Sequence, residues 1–325
     1  MKRTHDPVLY ELQGHIARIT LNRPDYRNAQ SRPMLYALDA AFDTAMQDDR
    51  VHVIVLDAAG PHFSAGHDLG SPDELAERQR RPLAAGLRGR YAHSREMFVD
   101  LTLRWRNLQK PTIAIVRGYC IFAGWMIASA MDIIFAAEDA MFLAANFQYF
   151  SVPWDIHPRK AKELLYQSRF IDGREAMKLG LVNHALPLTE LDARALAYAE
   201  DVAANDPFQL RMMKLAVNQM QDGQGFAAHI NAAHSMHMLS STGESDPGYA
   251  LAVPTGRRRP MVQRALENYQ KDALFTSQGL TSQGLTSQGP ASQQPEPQKR
   301  AAPRARTTPR TKSGTTRKRT PGRST

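Results

Sequence analysis

Two glycine-bearing turns are the segments of this 325-residue chain best suited to chemistry. One is Phe63-Ser64-Ala65-Gly66-His67-Asp68-Leu69, the other Gly118-Tyr119-Cys120-Ile121-Phe122-Ala123-Gly124. Each comes after an apolar run, at residues 51–56 and 111–116, of the kind found in strands buried on both faces. A turn that leaves a strand and enters a helix presents backbone N–H groups without internal partners, and the helix dipole adds to their pull on negative charge. Two such turns meeting would make an oxyanion hole, able to stabilise an enolate or a tetrahedral oxyanion. Either turn alone is equally compatible with an ordinary tight loop. Asp68 is suited to tying down its own turn, because a short carboxylate bonds nearby backbone amides. His67 offers an amide and also an imidazole in its useful titration range. His62 reads as a solvated loop residue.

The elements that must position these turns alternate between strand and helix, which predicts an α/β architecture. Residues 8–12 and 15–21 alternate in polarity around Gln13-Gly14, the mark of a hairpin. Ser31 is a suitable N-cap for a helix carrying Leu35, Leu38, Ala41, Phe42 and Ala45 at helical spacing. A long arginine-rich helical segment is expected over 73–109, a small-residue helix over 124–131, a strand over 133–136, and helices from Pro158 and from Asp172. After Pro207 the pattern is helical only. The expected division is a core over 1–200, a helical segment over 201–275, and a low-complexity tail over 276–325. LTSQG occurs there at 280–284 and 285–289, before a Pro/Ala/Thr/Arg/Lys stretch. With almost no bulky apolar residues, such a tail cannot offset its ordering entropy and is expected to be disordered.

Composition narrows the functional classes. The net charge is +9, from 41 basic and 32 acidic residues. Ten of the basic residues and one of the acidic ones fall in 276–325, leaving 31 of each in the body, so the basic excess says nothing about nucleic acid binding by the folded part. The tail suits nonspecific contact with nucleic acid, or no contact at all; it has no aromatic residue for base stacking. One cysteine, Cys120, excludes an internal disulfide framework and fits a reducing compartment. The N-terminus has no apolar run behind its basic residues and no long apolar window exists, so a cytoplasmic protein without a membrane span is expected.

The order of motifs resembles the enoyl-CoA hydratase/isomerase (crotonase) family. The carriers are NRP-x-x-R-N-A from Asn22, V-I-V-L-D-A-A-G-x-x-F-S-A-G-H-D-L from Val53, K-P-T-I-A-I-V-R-G-Y from Lys110, D-I-I-F-A from Asp132 and G-x-x-A-x-x-x-G-L-V from Gly173. The resemblance implies a spiral of ββα repeats followed by a helical oligomerisation segment, in trimers or hexamers. It implies oxyanion donors at the backbone N–H groups of His67 and Ala123. It also implies an acyl-CoA substrate held along Arg27 and Ala29 and along Ala65, Gly66, His67, Asp68 and Leu69, with no further cofactor.

The hydratase branch of that family uses two glutamates as paired general acid and base. Their positions here fall on Met126 and on Asn146, or on Ala144 in a shifted register, and none of these side chains transfers a proton. Asp155 is the first candidate replacement, although Asp155 or His157 equally suits the cap of the helix at Pro158. Hydratase-like lyase or isomerase activity on an acyl-CoA is the first expectation. Thioester hydrolysis, decarboxylation and non-catalytic acyl-CoA binding stay open. Arg78, Arg80, Arg81, Arg88, Arg90 and Arg95 suit either a phosphate-covering flap or a solvated helix face. His229, His234 and His237 lack a carboxylate at ligand spacing and are not read as a metal site. Met212, Met213, Met220, Met236 and Met238 are expected in a core or an oligomer interface.

Overall fold

The computed structural model describes residues 6–144, 150–242 and 260–281. Asn146 and the tail beyond 281 lie outside the described residues. The described residues up to 279 form one compact unit, which holds the elements of both sheets and the helices around them.

Strands β1 (Val8–Gln13) and β2 (Ile16–Leu21) make the expected hairpin, with Gln13 paired to Ile16. A 3-10 turn at Pro24–Tyr26 leads to α1 (Arg32–Gln47), whose first turn is capped by the Ser31 hydroxyl accepting from the Met34 amide. Strand β3 (Val53–Ala58) comes next, then α2 (Pro72–Arg80), α3 (Gly86–Ser94), a π-helical turn at Arg95–Asp100 and α4 (Leu101–Arg106). After them stand β4 (Thr112–Val116), β5 (Tyr119–Ile121), α5 (Ala123–Ser129), β6 (Ile133–Ala137) and β7 (Met141–Leu143). The chain continues through α6 (Val152–Asp155), α7 (Pro158–Gln167), β8 (Ile171–Asp172), α8 (Gly173–Leu179) and β9 (His184–Leu186). Helices α9 (Leu188–Ala203), α10 (Pro207–Gly223), α11 (Phe226–Thr242) and α12 (Pro260–Thr281) complete it.

Two sheets share these strands. The larger runs β1-β2-β3-β4-β6-β9, parallel from β2 onward, and the smaller runs β5-β7-β8. Successive pairs, β4 with β5 and β6 with β7, place one strand in each sheet before the next helix. This is the ββα spiral that the resemblance implies, followed by helices. Every residue of β3 and of β4 is buried, which explains why both read as unbroken apolar runs rather than alternating ones.

Three expectations are corrected, and one sheet is unforeseen. The helical stretch 73–109 is not continuous: Pro82 ends α2, because a proline disfavours helical backbone in the residue before it, and a π turn separates α3 from α4. Strand β3 starts two residues late, since Val51 still closes a turn on the Asp48 carbonyl. The smaller sheet has no counterpart in the sequence reading, its strands being only two or three residues long. Helix α12 extends to Thr281, so residues 276–281, expected in the tail, are helical.

Candidate active site

The first turn is stitched between two neighbours. On one side the Ser64 amide donates to the Tyr119 carbonyl at 2.9 Å, and the Ile121 amide donates back to the Ser64 carbonyl at 3.0 Å. On the other side the Ala65 amide donates to the Arg27 carbonyl, the Gln30 amide to the Gly66 carbonyl, and the Asp68 amide to the Gln30 carbonyl. Arg27 and Asn28 both take left-handed backbone (φ 51°), which lets their loop turn back onto the 64–69 segment. The segments expected from sequence to contact CoA, Arg27 and Ala29 with Ala65 to Leu69, are therefore neighbours, joined by backbone hydrogen bonds.

The two glycine turns touch. Gly66 sits at φ 83°, and a Cβ there would lie 2.8 Å from the Ile121 carbonyl oxygen and 3.4 Å from the Ala123 amide nitrogen. A Cβ on Gly124 would reach 2.6 Å from the Ser64 carbonyl oxygen. Only glycine fits at either place, so the two turns pack backbone to backbone, with His67 just after Gly66 and Ala123 opening α5. Phe122, just before Ala123, holds φ 51° and ψ −114°, a region costly to any residue with a side chain. Its amide donates to the Leu143 carbonyl at 2.8 Å, which fixes the bend that starts α5.

Asp68 ties its turn as expected, and more widely. Its carboxylate accepts from the Gly70 and Ser71 amides at 3.0 and 2.8 Å and from the Ser71 hydroxyl at 2.5 Å. It also pairs with the buried Arg23 guanidinium at 2.8 Å. Burial works against ionisation there, but the bonds from Ser71, Gly70 and Arg23 win and hold the carboxyl below its usual range. His62 is not the solvated residue expected: its Nδ1 accepts from the Tyr119 amide at 3.1 Å and its ring stacks on Tyr119. It is a brace between the loop before the first turn and β5.

A cavity of about 130 Å³ opens beside the paired turns. His67, Phe98, Met126 and Phe150 line it, with Ser94 on α3 and His234 and His237 on α11. The His67 ring lies 3.7 Å, centroid to centroid, from Phe98. Met126, the position the resemblance assigns to the first family glutamate, lines one wall, and its thioether transfers no proton. The polar side chains present are His67, Ser94, His234 and His237. His234 is buried, and its Nε2 lies 3.0 Å from the Ser94 hydroxyl. Burial first, then the charges of His237 and Arg95, hold the His234 imidazole below its usual range, with Asp100 opposing. Burial lowers His237 likewise.

Asp155 lies elsewhere. It lines a second cavity of about 550 Å³ with Ser151, Asp132, Lys214, Arg106 and Tyr198. Solvent reaches it through that cavity, yet the surrounding protein pushes its carboxyl up to about 6, against the Ser151 hydroxyl bonded to it at 2.5 Å. The cap of α7 is His157, whose Nδ1 accepts from the Arg159 amide. Among the arginines, Arg78 and Arg80 of α2 and Arg81 just after it pair with Glu74 and Glu77 of α2. Met212, Met213, Met220 and Met236 are exposed and Met238 is buried, so α10 shows its methionines to solvent in the single chain. Among the described residues no His/Cys/Asp/Glu group suits a metal ion, and no helix is long and apolar enough to cross a membrane.

Ser94 and His234 escape sequence reading as a pair because 140 residues separate them and neither carries a local motif. Similarity to known proteins points to one family. The sequence model described as enoyl-CoA hydratase/isomerase matches residues 11–247. EchA13 of Mycobacterium tuberculosis, named as a candidate enoyl-CoA hydratase, is 39% identical over 259 residues, spanning 73% of this chain and 81% of its own. The solved structure of a probable enoyl-CoA hydratase from Mycobacterium smegmatis aligns with a TM-score of 0.66 at 40% identity, covering 72% of this chain and 93% of that one. An enoyl-CoA hydratase/isomerase from Xanthobacter autotrophicus Py2 aligns at 0.67 and 30% identity, covering 87% and 100%. With the glycine turns, the two-sheet spiral and the helices after it all in place, the chain belongs to the enoyl-CoA hydratase/isomerase family.

Proposed function

We propose that the protein is an enzyme acting on an acyl-CoA thioester, whose carbonyl oxygen is held by the backbone N–H groups of His67 and Ala123. The observation that carries this reading is the backbone contact of the two glycine turns, the first of which contributes His67 to the cavity wall. Donors aimed at a carbonyl oxygen gain strength as charge develops on it, and one such donor contributes a factor of about 10²–10³ in rate. CoA lies along Arg27 and Ala29 and along Ala65 to Leu69, and the acyl group enters the small cavity. That cavity is about ten times the roughly 10–15 Å³ needed for one water, which suits a short acyl chain.

Hydration or isomerisation of an enoyl thioester is the leading reaction, because relatives bear that name. Met126 takes no part in proton transfer, and Asp155 faces the other cavity, so the proton-carrying groups in this reading are the imidazoles of His67, His234 and His237. No cofactor beyond the CoA thioester enters the scheme. The exposed apolar residues of α10, among them Phe208, Met213, Val217 and Met220, suit the trimer or hexamer that the family resemblance implies. The test is incubation with a panel of enoyl-CoA thioesters, following the conjugated enoyl absorbance and identifying products by mass. A hydrated or isomerised product supports the reading, and thioesters that neither bind nor turn over overturn it.

A further inference from the structure

The geometry points to a second chemistry in the same cavity: we infer that Ser94 and His234 form a nucleophile–base dyad that transfers the acyl group from CoA to Ser94 and then to water. This rests on the acyl-CoA reading proposed for the same site.

Three observations carry it. The Ser94 hydroxyl lies 3.0 Å from His234 Nε2, the hydrogen-bond reach that activates a weak oxygen nucleophile. Both residues line the cavity that His67 also lines, so a carbonyl seated against the His67 turn faces a hydroxyl already bonded to a base. The backbone supplies the placement. Immediately after Ser94 the helix widens into the π turn, where the Leu101 amide donates to the Glu96 carbonyl five residues back. That spacing brings Ser94 and Val99 to one wall, and such turns are frequent at functional sites. His234 is held from the other side by the Tyr91 ring, 5.0 Å away.

The chemistry balances without further reactants than water. With the imidazole proton on Nδ1, Nε2 accepts the Ser94 hydroxyl proton as Oγ attacks the thioester carbon, and the oxyanion forms between the His67 and Ala123 amides. Collapse breaks the C–S bond; the CoA thiolate leaves and takes the proton from His234. Water then gives a proton to Nε2 and attacks the Ser94 ester, the carboxylic acid departs, and Ser94 Oγ recovers its proton. The sum is acyl-CoA and water giving the acid and CoA thiol. Among the described residues His234 Nδ1 is buried without a hydrogen-bond partner, so the pair works as a dyad with no orienting carboxylate there.

The experiment is addition of butyryl-CoA and crotonyl-CoA to the full chain, with released thiol followed by a chromogenic disulfide reagent, acylated protein by intact mass and peptide mapping, and binding by calorimetry. The expected result is thiol release with the acyl mass on the peptide containing Ser94. Ser94→Ala abolishes both while still binding butyryl-CoA, Ser94→Cys keeps acylation through its thiol, and His234→Gln slows release by about 10²–10⁴-fold. Binding or loss of the enoyl absorbance without thiol release, or an acyl mass on any other residue, overturns the dyad and leaves the acyl-CoA reading intact. Failure of both thioesters to bind overturns the two together.

Discussion

Gly66 and Ala123 belong to turns 57 residues apart in sequence, yet a Cβ on Gly66 would stand 3.4 Å from the Ala123 amide nitrogen. The alignment of the proposed oxyanion donors depends on this approach, which leaves no volume for a side chain. Gly66→Ala meets the Ile121 carbonyl oxygen at 2.8 Å and needs left-handed backbone as well. The expected outcome is a stability loss of about 1–3 kcal/mol and a fall of at least roughly 10² in kcat/KM. Denaturant unfolding and steady-state kinetics on the same preparation read both. A folded Gly66→Ala enzyme with wild-type turnover contradicts the role given to this contact.

Phe122 provides a backbone test that leaves packing constant. Phe122→Gly and Phe122→Ala both lose the ring, but only glycine is at ease at φ 51° and ψ −114°. The glycine variant should be the more stable of the two by about 1–2 kcal/mol, the reverse of the ordinary preference for alanine in regular structure. Equal stability in urea melts would mean that Phe122 is unstrained.

The Arg23–Asp68 pair is buried on both sides and holds the turn that carries His67. Asp68→Ala removes the buried carboxylate from a guanidinium that keeps the Ser71 hydroxyl and the exposed Asp73 at 3.4 Å, and the expected cost is about 3 kcal/mol. The Asp68 carboxyl is held below its usual range, so its stabilisation is present above the unfolded value of 3.8 and is lost as pH falls through the lower folded value. KM for an acyl-CoA should rise more than kcat falls in the milder Asp68→Asn, because the turn's donors survive while its CoA-facing surface loosens. An unchanged KM argues against CoA lying along this turn.

Much of this frame is legible in the residues themselves. The hairpin and α1 with its Ser31 cap come from polarity period and capping chemistry, and strands β4 and β6 from their short unbroken apolar runs. The glycine turns are readable as motifs, and the absence of a glutamate at Met126 follows from the register that the family resemblance implies. The features that escape are long-range, or too short to have a period. The smaller sheet is built from strands of two or three residues inside turn sequence. The π turn has no sequence signature, and Ser94 meets His234 only because α11 packs against that turn. Asp155 reads in sequence as an acid/base candidate at the acyl pocket, but α6 presents it to the second cavity.

Asp155 still titrates unusually. Its carboxyl is pushed up to about 6 by the surrounding protein. The folded state therefore binds that proton more tightly than the unfolded state, whose value is near 3.8. The stabilisation is fully present below the unfolded value and is lost as pH rises through about 6. Asp155→Asn should melt higher than wild type at pH 7.5 and match it at pH 4, by less than about 1 kcal/mol because the cavity admits solvent that screens the charge. Ser151→Ala removes the one bond that lowers the carboxyl, so the Asp155 midpoint followed by carboxyl-carbon NMR should move further up. A midpoint near 4 in the wild type contradicts this account.

The most direct test of the central claim is isotope-edited infrared spectroscopy of crotonyl-CoA labelled with ¹³C at its carbonyl, bound to wild type and to Gly66→Ala. If the His67 and Ala123 amides polarise the thioester, the carbonyl stretch shifts to lower frequency on binding to wild type and shifts less in the variant. A bound thioester whose carbonyl frequency stays at its solution value would contradict the account.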